Sequence, residues 1–136
     1  MVDIIKYLLK HGYVQNENNI FKSGEEGYWS YLSEEENKIF IEILNNKGAR
    51  AAAKSINPQY EEMIYSEKRE AALELLNHEI QGVCIDYGCM WGVLSIAMAK
   101  RGHHVIAVDQ TYPSLKFLCH RIEEEHFNNI TVVQDD

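Results

Sequence analysis

Basic residues are scarce in this chain. Thirteen Lys and Arg stand against 21 Asp and Glu over 136 residues, a net charge of −8 at pH 7. That balance works against a nucleic-acid backbone or an anionic membrane as a broad electrostatic partner. Long apolar runs are missing as well, and no stretch approaches the roughly eighteen residues that a membrane-spanning helix needs. The amino terminus, M-V-D-I-I-K-Y-L-L-K, carries an acid at Asp3 and no small-residue cleavage site, unlike a signal peptide. Only three cysteines occur, Cys84, Cys89 and Cys119, an odd number without metal-ligand spacing. Reduced thiols in a cytoplasmic protein are the expectation. What remains is the composition of a globular chain, long enough for one domain with a small extension.

Two textures follow each other. Residues 1–57 show no regular alternation of strand and helix patterns and are expected to form a small, mainly helical extension. Ile4, Ile5, Leu8 and Leu9 recur at helical spacing up to Gly12. Residues 15–27 are polar around an isolated Ile20-Phe21 pair, which suits one short strand or hairpin arm. Ser33-Glu34-Glu35-Glu36 has the form of a capping box, opening a helix that runs to Gly48. A second short helix, A-R-A-A-A-K-S-I, ends before Asn57-Pro58, where the residue preceding proline disfavours helix. The aromatic run Tyr28-Trp29-Ser30-Tyr31-Leu32 has the character either of an anchor for these helices or of a pocket wall.

From residue 58 to 136 the pattern is regular. Tyr60–Leu76 reads as a helix. Val83–Asp86 then reads as a strand, apolar on successive residues as if covered on both faces. Val93–Arg101 is helical, with Gly102 at its C′ position. Val105–Val108 is a second strand, and Pro113 sits where a helix's first turn accepts proline. Leu115, Leu118 and Ile122 give that helix its apolar stripe, and Ile130–Val133 is a third strand. The order helix-β-α-β-α-β, with right-handed crossovers, predicts an α/β fold with strand order 3-2-1. The adjacent pair His103-His104 reads as a turn before a strand, since no carboxylate or cysteine stands at ligand spacing, and no metal site is expected.

The chemistry concentrates at the strand ends. The run V-C-I-D-Y-G-C-M-W-G places Asp86 at a strand tip and glycines at Gly88 and Gly92 in the turn that follows. A second strand then ends in Asp109. Open backbone at one tip and a carboxylate one strand away describe a nucleoside-cofactor site, the carboxylate holding a ribose. The dinucleotide form of that motif, G-x-G-x-x-G, is a poorer fit, because Met90 and Val93 occupy its second and third glycine positions.

These features resemble the first half of a class I S-adenosylmethionine-dependent methyltransferase. In that family a strand ends in Asp before a D-x-G-x-G-x-G turn, and acids follow the second and third strands. Asp86, Gly88 and Gly92 match the first motif, Asp109 the second and Asp135 the third. The context G-C-x-W-G, followed by L-S-I-A-x-A-x-R-G-H-x-V-x-A-V-D, is also similar. The resemblance covers 83–136 and implies a partial Rossmann-like half-domain that binds S-adenosyl-L-methionine. It implies that the backbone of Gly88, Cys89 and Met90 borders the methionine part of the cofactor and that Asp86 holds its amino group. Asp109 would accept from both ribose hydroxyls, Gln110 would lie beside the adenine, and Asp135 would lie near the exocyclic amine.

Two departures stand out. Met90 takes the place of the middle glycine, and the chain ends after the third strand. The expectation is therefore the amino-terminal part of a methyltransferase, inactive alone, with acceptor-side residues beyond Asp136. The methyl acceptor is expected to be a small molecule ahead of protein or RNA. With the order 3-2-1, the first strand presents an open edge, which predicts self-association or coverage by the N-terminal segment. The reading from a different class is a non-catalytic interaction or dimerisation module.

Overall fold

The computed structural model describes residues 4–10, 12–22, 32–56, 58–65 and 81–135. From the amino terminus, α1 spans Ile4–Lys10, β1 Val14–Gln15, β2 Ile20–Lys22, α2 Glu34–Lys47, α3 Ala49–Ile56 and α4 Pro58–Tyr65. Then come β3 Val83–Tyr87, α5 Val93–Lys100, β4 His104–Asp109, α6 Tyr112–Glu124 and β5 Ile130–Gln134. The aromatic run at 28–31, the continuation of the helix past Tyr65 to Leu76, and Asp136 lie outside the described residues.

The fold is α/β, built on a mixed five-stranded sheet in the order β1-β2-β5-β4-β3. The expected three-strand order 3-2-1 is thus not the order of the sheet. Residues 14–22 add two strands to it. β3, β4 and β5 are parallel neighbours, with Asp86 opposite Ala107 and Asp109 opposite Gln134. β2 joins β5 in parallel, Ile20 facing Val132, and β1 closes the hairpin antiparallel to β2. The hairpin turn is held by the Asn16 side chain, whose Oδ1 accepts from the backbone N–H groups of Asn18 and Ile20. The N-terminal segment therefore supplies sheet as well as helix.

One face of the sheet carries α5 and α6, whose Ile96, Leu115 and Leu118 pack on Ile20, Ala107 and Val132. Both crossover helices lie on this face, as crossovers of one hand require. Outside them lies a further helical layer. The Ser33 hydroxyl accepts from Glu36 N–H and the Glu36 carboxylate accepts from Ser33 N–H, so the capping box forms and α2 starts there. Phe40 and Leu44 of α2, and Ala49, Ala52 and Ala53 of α3, bury against Phe117 of α6 and Trp91. Phe40, Trp91 and Phe117 meet as three rings with centroids 5.2–6.1 Å apart. Glu124 of α6 receives the Ala49 N–H at 3.0 Å and so seats the start of α3. The Tyr65 ring lies under both Arg50 and Arg121, at 4.0 and 4.4 Å from its centroid, which ties α4 to α6.

The opposite face is covered by α1, where Leu8 packs on Phe21 and Val133, with Ile106 and Val108 at the margin. This cover does not extend to β3. Val83, Ile85 and Tyr87 are 53%, 66% and 69% exposed. The reading of Val83–Asp86 as a strand covered on both faces is therefore corrected. β3 is an edge strand, and only its Cys84 and Asp86 side turns toward the helices. The N-terminal segment pairs with β5 at the far side of the ribbon. Among the described residues nothing pairs with the outer edge of β3, and the two N-terminal strands lie at the opposite side of the sheet.

Candidate functional site

Parallel strands point their carboxyl ends the same way, so the register of β3, β4 and β5 brings Asp86, Asp109 and Asp135 to one rim of the sheet. Ligands of open α/β sheets bind outside these ends. The turn from β3 to α5 folds back over β4: the N–H groups of Gly88 and Cys89 both donate to the Val108 carbonyl, at 2.8 and 3.0 Å. Gly88 has a φ of +74°, and a Cβ placed there would meet nothing within 4 Å. The space above this residue is open.

Met90 has a φ of +48°, in the left-handed region that glycine occupies at low cost. Met90 stands where the resembled motif carries glycine, and its backbone has a conformation that glycine favours. Gly92, at φ +71°, serves a different need. A Cβ there would lie 2.2 Å from Leu118 Cδ1, so the missing side chain is what lets the start of α5 pack against α6.

Asp109 is the centre of the arrangement. It is 8% exposed. Its Oδ2 accepts from Met90 N–H at 2.9 Å and its Oδ1 accepts from Thr111 N–H at 2.8 Å. The carboxylate thus joins the β3–α5 turn to the β4–α6 turn. Each oxygen retains a further lone pair, so two hydroxyl donors remain compatible with this bonding. Asp86 accepts from the buried Ser95 hydroxyl of α5 at 2.6 Å. The Asp135 N–H donates to the Asp109 carbonyl at 3.1 Å, and the Gln134 side chain donates to the Gln110 carbonyl at 3.0 Å. The ends of β4 and β5 are therefore stitched together around Gln110. The Asp135 carboxylate also accepts from the Tyr13 hydroxyl.

The expected residues thus fall into groups. Asp86, Gly88, Met90, Asp109, Gln110 and Asp135 line the rim. Cys89 contributes backbone only, since its side chain is buried with Ile96 and Leu118. Burial raises the Cys89 thiol well above its ordinary value, helped by the nearby Asp109 and Asp86 charges, so it is a neutral thiol rather than a nucleophile. Gly92 shapes the helix junction. Two contributors escaped the sequence reading. Ser95 sits in an apolar helix without any polar pattern around it, and Tyr13 reaches the rim from the other end of the chain.

Three carboxylates around open backbone suit a cationic ligand bearing hydroxyl and amine donors. His103 and His104 stand at the start of β4, at the other end of the sheet. Among the described residues no group of three or more His, Cys, Asp or Glu side chains is arranged to hold a metal ion. No family model, no curated protein and no solved structure matches the chain.

Proposed function

We propose that the strand-tip site binds S-adenosyl-L-methionine and that the chain is the cofactor-binding part of a class I methyltransferase with a Rossmann-like fold. The observation that carries the reading is the convergence of Asp86, Asp109 and Asp135 on one rim, with the open space over Gly88 between the first two strands. In this reading Asp109 accepts from the ribose hydroxyls and Asp86 from the amino group of the methionine moiety. Gly88, Cys89 and Met90 border that moiety with their backbone, Gln110 flanks the base, and Asp135 faces its exocyclic amine. The sulfonium supplies the methyl group. The chain's own part is to hold it in line for a small-molecule acceptor, a proximity effect. The free thiols of Cys84, Cys89 and Cys119 fit a reducing cytoplasm, and among the described residues no helix is long and apolar enough to cross a membrane.

A thermal-shift titration tests the reading. S-adenosylhomocysteine at a hundred times its dissociation constant should add about 2.7 kcal/mol of stability. Asp86→Asn should weaken the ligand about tenfold by removing the carboxylate that meets its amino group. Absence of any shift at millimolar ligand would overturn the proposal.

A second reading has its own observation in the edge of β3, which has no strand partner among the described residues, with Val83, Ile85 and Tyr87 exposed beside it. An edge strand without Lys or Pro is a template for pairing. In this reading a second copy docks there and the module serves association. Sedimentation velocity decides it: a dimer that Ile85→Lys converts to monomer supports this reading, and a native monomer across the micromolar range removes it.

A further inference from the structure

Tyr13 reaches the rim by a route the fold makes rigid. Gly12, at φ +87°, ends α1, and the N–H groups of Gly12 and Tyr13 bond back to Leu9 and Leu8. The next residue, Val14, pairs with Lys22, and Lys22 faces Gln134 at the tip of β5. Two strands thus deliver the phenol beside Asp135, and its hydroxyl donates to Oδ2 of that carboxylate. The ring packs at the edge of the Leu8, Phe21 and Val133 cluster. A second bond, from the Asn18 amide to the Tyr112 hydroxyl at 3.0 Å, fixes the hairpin to the start of α6. On its other side Asp135 is held through its own N–H to the Asp109 carbonyl.

We infer that Tyr13 is a positioning residue of the strand-tip site, setting the Asp135 carboxylate to select a nucleoside whose base carries an exocyclic amine over one that carries a carbonyl there. The inference rests on the nucleoside reading above. An ionised carboxylate only accepts hydrogen bonds. It satisfies an amine donor and opposes the lone pairs of a carbonyl at the same place. A carboxylate free to rotate discriminates less than one held by a donor, and the Tyr13 hydroxyl is such a donor. A phenol is protonated at neutral pH, and the bond to Asp135 raises its pKa further, to about 12, which extends this donor into alkaline solution. The Tyr13 bond takes one of about four lone-pair positions on the carboxylate.

The experiment compares S-adenosylhomocysteine with S-inosylhomocysteine by calorimetry on the full chain, Tyr13→Phe and Asp135→Asn. The native chain should prefer the adenosyl ligand by at least about tenfold, and Tyr13→Phe should keep adenosyl binding while cutting the preference about fivefold. Asp135→Asn, whose amide both donates and accepts, should abolish the preference. An unchanged preference in Tyr13→Phe overturns the role of Tyr13 and leaves the nucleoside reading standing. A native chain that binds neither ligand overturns the nucleoside reading itself. Should Tyr13→Phe fail to fold, the ring-carbon resonance of Tyr13 in the native chain decides: it should move with the adenosyl ligand and not with the inosyl one, and equal movement overturns the inference.

Discussion

The two edges of the β3–β4–β5 ribbon began as similar sequences and ended in different surroundings. V-C-I-D-Y and I-T-V-V-Q are both short apolar runs closing on a polar rim. β5 acquires β2 as a neighbour and is packed on both faces, by α6 on one and α1 on the other. β3 keeps β4 alone among the described residues, and its Val83, Ile85 and Tyr87 face outward. The lesson is that a strand's own residues do not decide how deeply it is buried. That depends on which distant segment arrives at its side. The asymmetry also divides the site: Asp135 belongs to the walled edge and Asp86 to the open one.

Matched substitutions should expose the difference. Ile20→Ala, at a fully buried position on the walled side, should cost about 2–5 kcal/mol, whereas Ile85→Ala on the open side should change stability by less than about 0.5 kcal/mol. Equal effects in urea denaturation would erase the contrast. A second pair lies within one turn. Gly92→Ala brings a methyl 2.2 Å from Leu118 at positive φ and should cost about 3 kcal/mol, whereas Gly88→Ala adds only the left-handed strain, about 1 kcal/mol. Met90→Gly, at φ +48°, should raise the melting temperature slightly, by about 0.5 kcal/mol of stability, because it relieves that same strain. A further effect is alkaline. Tyr13 and Tyr65 are both raised from 10.0 to about 12, the first by its bond to Asp135 and the second by burial. The unfolded chain releases these protons first, so their stabilisation is complete below pH 10 and declines as pH rises toward 12. Tyr13→Phe or Tyr65→Phe should flatten that decline.

The ribbon was legible because its signals are local. Apolar runs, Gly102 after α5 and Pro113 in α6 each act within a few residues, and the elements fall within one or two residues of the reading. The capping box at Ser33 was legible for the same reason. The hairpin at 14–22 was half-legible. Ile20-Phe21 announced a strand, but its partner Val132-Val133 lies at the other end of the chain, and no local rule links them. At the rim, the identities of Asp86, Asp109 and Asp135 could be read and their attachments could not. Ser95 beneath Asp86 and Tyr13 against Asp135 are tertiary meetings. The motif match makes Gly92 a cofactor glycine, although its lack of a side chain is already required by Leu118.

The two hydrogen bonds that Asp109 accepts, from the Met90 and Thr111 N–H groups, prepare the rim for any ligand. The carboxylate acts as a rivet between two loops whose covalent connection runs the length of α5 and β4. With the rivet in place, the loops keep their spacing before a guest arrives. The ordering entropy that binding usually costs has therefore been met during folding. It also makes Asp109 a poor residue to delete when testing recognition alone, since its loss would loosen the seat as well as remove a contact.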